Sequence, residues 1–88
     1  MRICIIGGGA SGMAAALAAA ENPNAQVILL ERQARLGRKL LATGNGRCNL
    51  TNTHALEDHY HGEDVSFSKA ALQAFTPEQT LAWFQSLG

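Results

Sequence analysis

At 88 residues the chain suffices for one small domain but falls short of a whole dinucleotide-binding α/β domain, which runs to ~100 to 200 residues. Its 47% apolar and 16% charged residues, with nine glycines, exclude a disordered or fibrous polypeptide and fit a globular one. A formal net charge of zero removes any global electrostatic pull toward nucleic acid or an anionic membrane.

The chain starts on an apolar, β-branched run, Arg2 to Ile6, which leads straight into Gly7-Gly8-Gly9 as a buried parallel strand leads into a tight turn. From Ser11 to Glu21 nearly every residue is Ala, Met or Leu, good helix formers, and Asn22-Pro23 ends the run. Val27 to Leu30 is a second short apolar run, closed by Glu31. Strand, helix and strand at this spacing predict a right-handed βαβ unit.

Gly7, Gly9 and Gly12 form GxGxxG between that strand and that helix, a weak pattern alone but informative in this context. The first glycine allows the tight turn, the second leaves room for a pyrophosphate beside the backbone, and the third lets helix approach strand. The helix N-terminus, with Ala10 and Ser11 in its first turn, then aims unpaired N–H groups at the phosphates. Glu31 falls nineteen residues after Gly12, where a carboxylate accepts hydrogen bonds from the adenosine ribose hydroxyls. A carboxylate there repels the 2′-phosphate of NADP, so the site is expected to take FAD or NAD despite the neighbouring Arg32.

After Glu31 the pattern turns polar and glycine-rich through Asn52, with one helical turn expected at Arg38 to Leu41. Structureless connectors longer than ~12 to 15 residues are usually functional or disordered, which marks this one for attention. Arg32, Arg35, Arg38, Lys39 and Arg47 make it locally basic, and the acids Glu57, Asp58, Glu63 and Asp64 follow. Gly44 and Gly46 let backbone N–H groups approach a ligand, while Thr43, Asn45, Asn49, Thr51 and Asn52 offer donors and acceptors. Arg38, Lys39 and Arg47 add positive charge suited to a pyrophosphate or to the pyrimidine end of a reduced flavin. A solvated, asparagine- and glycine-rich turn region is the plainer reading of the same residues.

The block Gly37-Arg-Lys-Leu-Leu-Ala-Thr-Gly-Asn-Gly-Arg-Cys-Asn-Leu-Thr-Asn52, with Gly7-Gly-Gly-Ala-Ser-Gly12, resembles the signature of the BaiN/YhiN-like, or aminoacetone-oxidase-like, bacterial FAD-binding flavoproteins. No position in the two blocks departs from that signature, and the tail after Asn52 is less diagnostic. The resemblance implies the N-terminal βαβ part of a Rossmann-like FAD-binding domain, with the rest of that domain and a substrate domain beyond residue 88. It also implies FAD as cofactor, hydride transfer as chemistry, and substrates from small amino-ketones to ring-unsaturated steroid-like ketones. The 88-residue piece alone is expected to be inactive and to self-associate through an open sheet edge. Two other classes stay open: a flavoprotein that modifies tRNA, since some such enzymes open with a similar GGG turn, and a non-catalytic nucleotide-binding module.

The tail predicts a short helix reaching Phe75, capped by Ser66 or Ser68, and a second helix from Pro77 to about Leu87. In that second helix Thr76 and Gln79 form a reciprocal cap around Pro77. Trp83, Phe84 and Leu87, with Phe75, read as a buried face. The histidines His54, His59 and His61 fit no ligand spacing, so no metal is expected. Cys48 has no partner thiol nearby and Cys4 lies in the first strand, which argues against a redox pair and for a reducing compartment. No general acid or base can be named. With no leader and no apolar run long enough to span a bilayer, the expectation is a cytoplasmic protein acting on a small-molecule substrate, without membrane or nucleic-acid partners.

Overall fold

Arg2–Ile6 forms strand β1 and Gln26–Leu30 forms strand β2 in the computed structural model, which describes residues 1–55 and 59–88. Glu57 and Asp58 of the acidic stretch lie outside the described residues. The two strands pair in parallel, Arg2 opposite Gln26 and Ile6 opposite Leu30. Helix α1, Ala10–Ala20, joins them and packs on both, completing the predicted βαβ unit. Its alanines fix the helix cheaply, and it stops where Glu21 and Asn22 bond back to the carbonyls of Ala18 and Ala19. Asn22 Oδ1 then accepts the Asn24 N–H at 3.0 Å and turns the chain toward β2.

The first strand reads in sequence as a buried one and the second as a like apolar run. Instead they alternate between exposed and half-buried residues along their length. The cause is single-sided cover: α1 lies over one face, so Ile3, Ile5, Val27 and Leu29 are half-buried while Ile6, Ile28 and Leu30 are exposed.

The chain divides into two compact units, Met1–Asn49 and Leu50–Gly88. The first also holds helix α2, Arg38–Ala42, one residue longer than the expected turn, and a 3₁₀ turn at Gly44–Gly46. The second holds helices α3, Lys69–Ala74, and α4, Pro77–Ser86. The reciprocal cap of α4 forms as expected: Thr76 Oγ1 accepts the Gln79 N–H at 3.2 Å and Gln79 Oε1 accepts the Thr76 N–H at 2.8 Å.

Ser68 stands at the cap position of α3 but makes no side-chain capping bond. The chain is shaped upstream instead, where Asp64 Oδ1 accepts both the N–H and the O–H of Ser66. The expected aromatic core of this tail is also corrected. Trp83 is half-buried and meets Phe84 edge-to-face at 4.9 Å, whereas Phe75, Phe84 and Leu87 are 50%, 39% and 48% exposed. Two short helices of six and ten residues have too little mutual surface to bury four large side chains.

Candidate functional site

The glycine turn between β1 and α1 is built by three different constraints. Gly7 holds φ at +101°, open to glycine and costly for other residues, and its N–H bonds the Leu30 carbonyl at 2.7 Å, tying the turn to the end of β2. A β-carbon on Gly12 would collide with the Gly7 carbonyl oxygen, so helix and turn touch backbone to backbone. A β-carbon on Gly9 would meet no atom within 4 Å. The side of the turn at Gly9 is therefore open, and Gly9 is also the N-cap of α1, with no side chain capping it. No acidic residue stands in the first turn of α1 itself, so the helix supplies no negative charge of its own to its positive end.

Glu31 comes up beside this opening. Its Oε2 accepts the Gly8 N–H at 2.6 Å and its Oε1 accepts the Gln33 N–H at 2.8 Å. Those backbone bonds, Gln33 first and Gly8 next, with Arg32 helping, hold the carboxyl below its usual carboxylate range against a smaller opposing effect of burial. Because the folded-state value is depressed, the contribution of Glu31 to holding the turn is fully present above the unfolded carboxylate range. It is lost as pH falls through the lowered value. The Glu31-dependent part of nucleotide binding is accordingly expected to be flat from neutral pH down to the ordinary carboxylate range and to fail only in stronger acid. Nucleotide titrations across pH, with Glu31→Gln as control, check this.

Two clefts open on the same unit. One, of about 410 Å³, is lined by Gly8, Gly9, Glu31, Gln33, Arg35, Arg38, Lys39 and Ala42. The other, of about 490 Å³, is lined by Gln33, Ala34, Arg35, Arg38, Leu41 and Ala42. The structure thus brings together Gly9, Glu31, Arg38 and Lys39 of the residues singled out in the sequence. Arg35 was read only as part of the basic stretch and not as an individual cofactor ligand, and Gln33 was not singled out at all. Gln33 Oε1 accepts a hydrogen bond from Arg38 Nη1 at 3.2 Å, which turns that guanidinium toward the cleft wall.

Gly37 also went without a role, although it is buried, has φ +64°, and bonds through its N–H to the Gly8 carbonyl at 2.8 Å. It starts α2 against Met13, whose Cε would lie 3.0 Å from a β-carbon placed there. The sequence signals for it are its place at the head of the second signature block and a glycine standing directly before a helical pattern.

The remaining candidates do not line either cleft. Ala10, Ser11 and Gly12 are in the first turn of α1, and Arg32 is exposed beside Glu31. Thr43 donates its hydroxyl to the Leu40 carbonyl at 2.9 Å, and its own carbonyl accepts the Cys48 N–H at 3.2 Å. Gly44, Asn45 and Cys48 all adopt left-handed φ of 57°, 52° and 53°, so the chain winds tightly on itself through Gly46 and Arg47 to Asn49. Asn45 and Cys48 accept a conformation that non-glycine residues occupy in only a few per cent of cases.

Cys48 is half-buried and unpaired with Cys4. Changing Cys48 to Ser is expected to keep most of the turnover of the whole protein. A loss of ~1000-fold with flavin still bound would reveal a catalytic thiol.

A family model described as the HI0933-like protein Rossmann domain matches residues 1–88. The 3-dehydro-bile acid delta(4,6)-reductase of Clostridium scindens is 54% identical over 88 residues, 99% of this chain and 22% of that protein. The ribosomal RNA dihydrouridine synthase of Escherichia coli is 40% identical over 72 residues, 82% of this chain and 18% of that protein. Its namesake from Haemophilus influenzae is 36% identical over 72 residues. The chain therefore spans about a fifth of the length of these relatives. Among the described residues, no helix is long and apolar enough to cross a membrane.

Proposed function

The chain belongs to the HI0933-like Rossmann-domain family, and from that premise we propose that it opens the FAD-binding domain of an oxidoreductase that saturates a ring C=C bond conjugated to a carbonyl. The observation that carries the cofactor assignment is the Glu31 carboxylate at the end of β2, fixed by backbone N–H groups beside the uncapped N-terminus of α1. Those groups match the ADP half of the cofactor. The α1 N-terminus receives the pyrophosphate at Gly9, Glu31 receives the ribose hydroxyls, and Arg35, Arg38 and Lys39 supply compensating positive charge around the cleft. The tightly wound block from Thr43 to Asn49 supplies further contacts.

Bound FAD supplies two-electron redox chemistry, and the residues of this chain bind and orient it. The substrate class is supported by the relatives. A delta(4,6)-reductase and a dihydrouridine synthase differ in substrate, yet both names denote reduction of a ring C=C bond, and in a 3-dehydro-steroid and in uracil that bond is conjugated to a carbonyl. Higher identity to the reductase, 54% against 40%, favours a small-molecule substrate. Ribosomal RNA is the second reading, favoured by the two synthases.

The test begins with the absorption spectrum of the whole protein, which is expected to be yellow. The photoreduced protein is then mixed anaerobically with a ring-unsaturated 3-oxo steroid or with ribosomal RNA from a strain lacking the gene. Reoxidation by the steroid supports the first reading. Gain of dihydrouridine in the RNA supports the second. A colourless protein that takes up no flavin overturns both.

Glu31→Ala in the whole protein is expected to weaken FAD binding by about tenfold or more without unfolding the domain, since it removes charge-assisted hydrogen bonds rather than core packing. Unchanged flavin affinity in an equilibrium titration would sink the ribose assignment.

A further inference from the structure

The middle glycine of the turn, Gly8, occupies the position that the GxGxxG pattern leaves open to any residue, and nothing in that pattern asks for glycine there. Its backbone also has no left-handed φ that would demand one. Yet Gly8 is buried, and a β-carbon on it would collide with Leu36 Cδ2 and stand 3.0 Å from Glu31 Oε2 and 3.2 Å from Glu31 Cβ. We propose that Gly8 is the positioning residue for the ribose-binding acid: its missing side chain is the space in which the Glu31 carboxylate sits.

Two anchors make the consequence directional. The Gly7 N–H bonds the Leu30 carbonyl and Ile6 pairs with Leu30, so the backbone next to Glu31 cannot retreat. The Leu36 side-chain end is flexible and can swing away. The carboxylate is what remains to move, and it leaves the Gly8 N–H when it does. The Gly9 opening and the α1 N-terminus lie outside this contact, so phosphate binding is untouched. Gly8 thereby sets selectivity for the ribose hydroxyls rather than overall affinity for the nucleotide, an inference that rests on the ribose role proposed for Glu31.

The experiment compares ADP with 2′-deoxy-ADP on the flavin-stripped whole protein. The parent protein is expected to prefer ADP by about tenfold, the size of a lost charge-assisted hydrogen bond. Gly8→Ala is expected to bring the two affinities to within about threefold by weakening ADP alone, and Gly8→Ala/Glu31→Gln to be no worse than Glu31→Gln. Leu36→Ala removes the leucine collision and is expected to keep the preference, whereas Leu36→Ala/Gly8→Ala loses it. That pair preserves the test should Gly8→Ala alone fail to fold. A preference retained in Leu36→Ala/Gly8→Ala, or equal weakening of both nucleotides, overturns the proposal by reducing Gly8 to a packing residue. A parent protein with no preference overturns the ribose reading itself, and this inference falls with it.

Discussion

Gly12→Ala is expected to leave the whole protein colourless, lowering FAD affinity by about a hundredfold or more and stability by roughly 1–3 kcal/mol. The added β-carbon would occupy the place of the Gly7 carbonyl oxygen, a backbone atom without rotamers. Gly7 is held in turn by its own N–H bond to Leu30, so the collision is relieved only by moving α1 off β1. That displacement carries away the helix N-terminus on which phosphate binding depends. Gly9→Ala is the contrasting substitution. Its β-carbon meets no protein atom and its φ of −79° suits alanine. Its stability is therefore expected to stay within about 0.5 kcal/mol of the parent, the usual range for a substitution that disturbs no packing. Its flavin binding is nevertheless expected to fall, because the methyl group takes up room left open for the pyrophosphate. Thermal melts and flavin content of the two variants separate the constraint of packing from that of the ligand. A Gly12→Ala protein with parental melting temperature and flavin content would remove the backbone-contact account of the turn.

The two glycines also mark the line between what is legible in the amino-acid sequence and what is not. Local rules located β1, α1, β2 and the cap of α4 to within a residue or so, because each is written in a contiguous run: β-branched residues before three glycines, alanines before Asn22-Pro23, Thr76 before Pro77 and Gln79. The positive φ at Gly7 and the close approach at Gly12 were legible for the same reason, since a glycine at fixed spacing from a strand end has few other uses. What escaped, apart from the approach of Glu31 to the glycine turn, was carried by contact between distant residues. Gly8 touches Glu31 and Leu36, and Gly37 bonds Gly8, through a fold of the chain that no short window contains. Gln33 enters the cleft because the segment after β2 turns back over the glycine turn. The burial expected for the first strand, and for Phe75, Phe84 and Leu87, failed on a different ground. Apolar character reports that a side chain is to be covered, and says nothing of which element covers it.

The 88-residue segment produced by itself is expected to sediment as an oligomer or aggregate, to unfold without a cooperative transition, and to hold FAD poorly. Apart from Pro77, its described residues include no buried hydrophobic side chain, while Ile6 is 86%, Leu30 51% and Ile28 42% exposed. Folding has to offset a conformational entropy of roughly 1–2 kcal/mol per residue by burial, and half-covered strands return only part of that. The sheet adds a second difficulty. It has two strands in the order β1-β2, so each strand is hydrogen-bonded along one edge and presents unpaired N–H and C=O groups along the other. The β1 edge runs beside Ile3, Ile5 and Ile6, an apolar template with no proline and, past Arg2 at its start, no charge to block addition of another strand. In doubly wound sheets a parallel strand on that side closes the edge, and α-helices cover both faces. Lacking that cover, the segment satisfies its edge with another copy of itself. The same argument predicts that the Gly7 to Gly12 turn, in which the Gly7 N–H bonds Leu30 and the Gly9 carbonyl accepts the Met13 N–H within the βαβ unit, survives as local structure even where flavin binding is lost. Analytical ultracentrifugation, denaturant titration and flavin fluorescence on the isolated segment test all three parts. A monomer that unfolds cooperatively and binds FAD tightly would show that half-covered strands and an open apolar edge suffice for a self-standing flavin site.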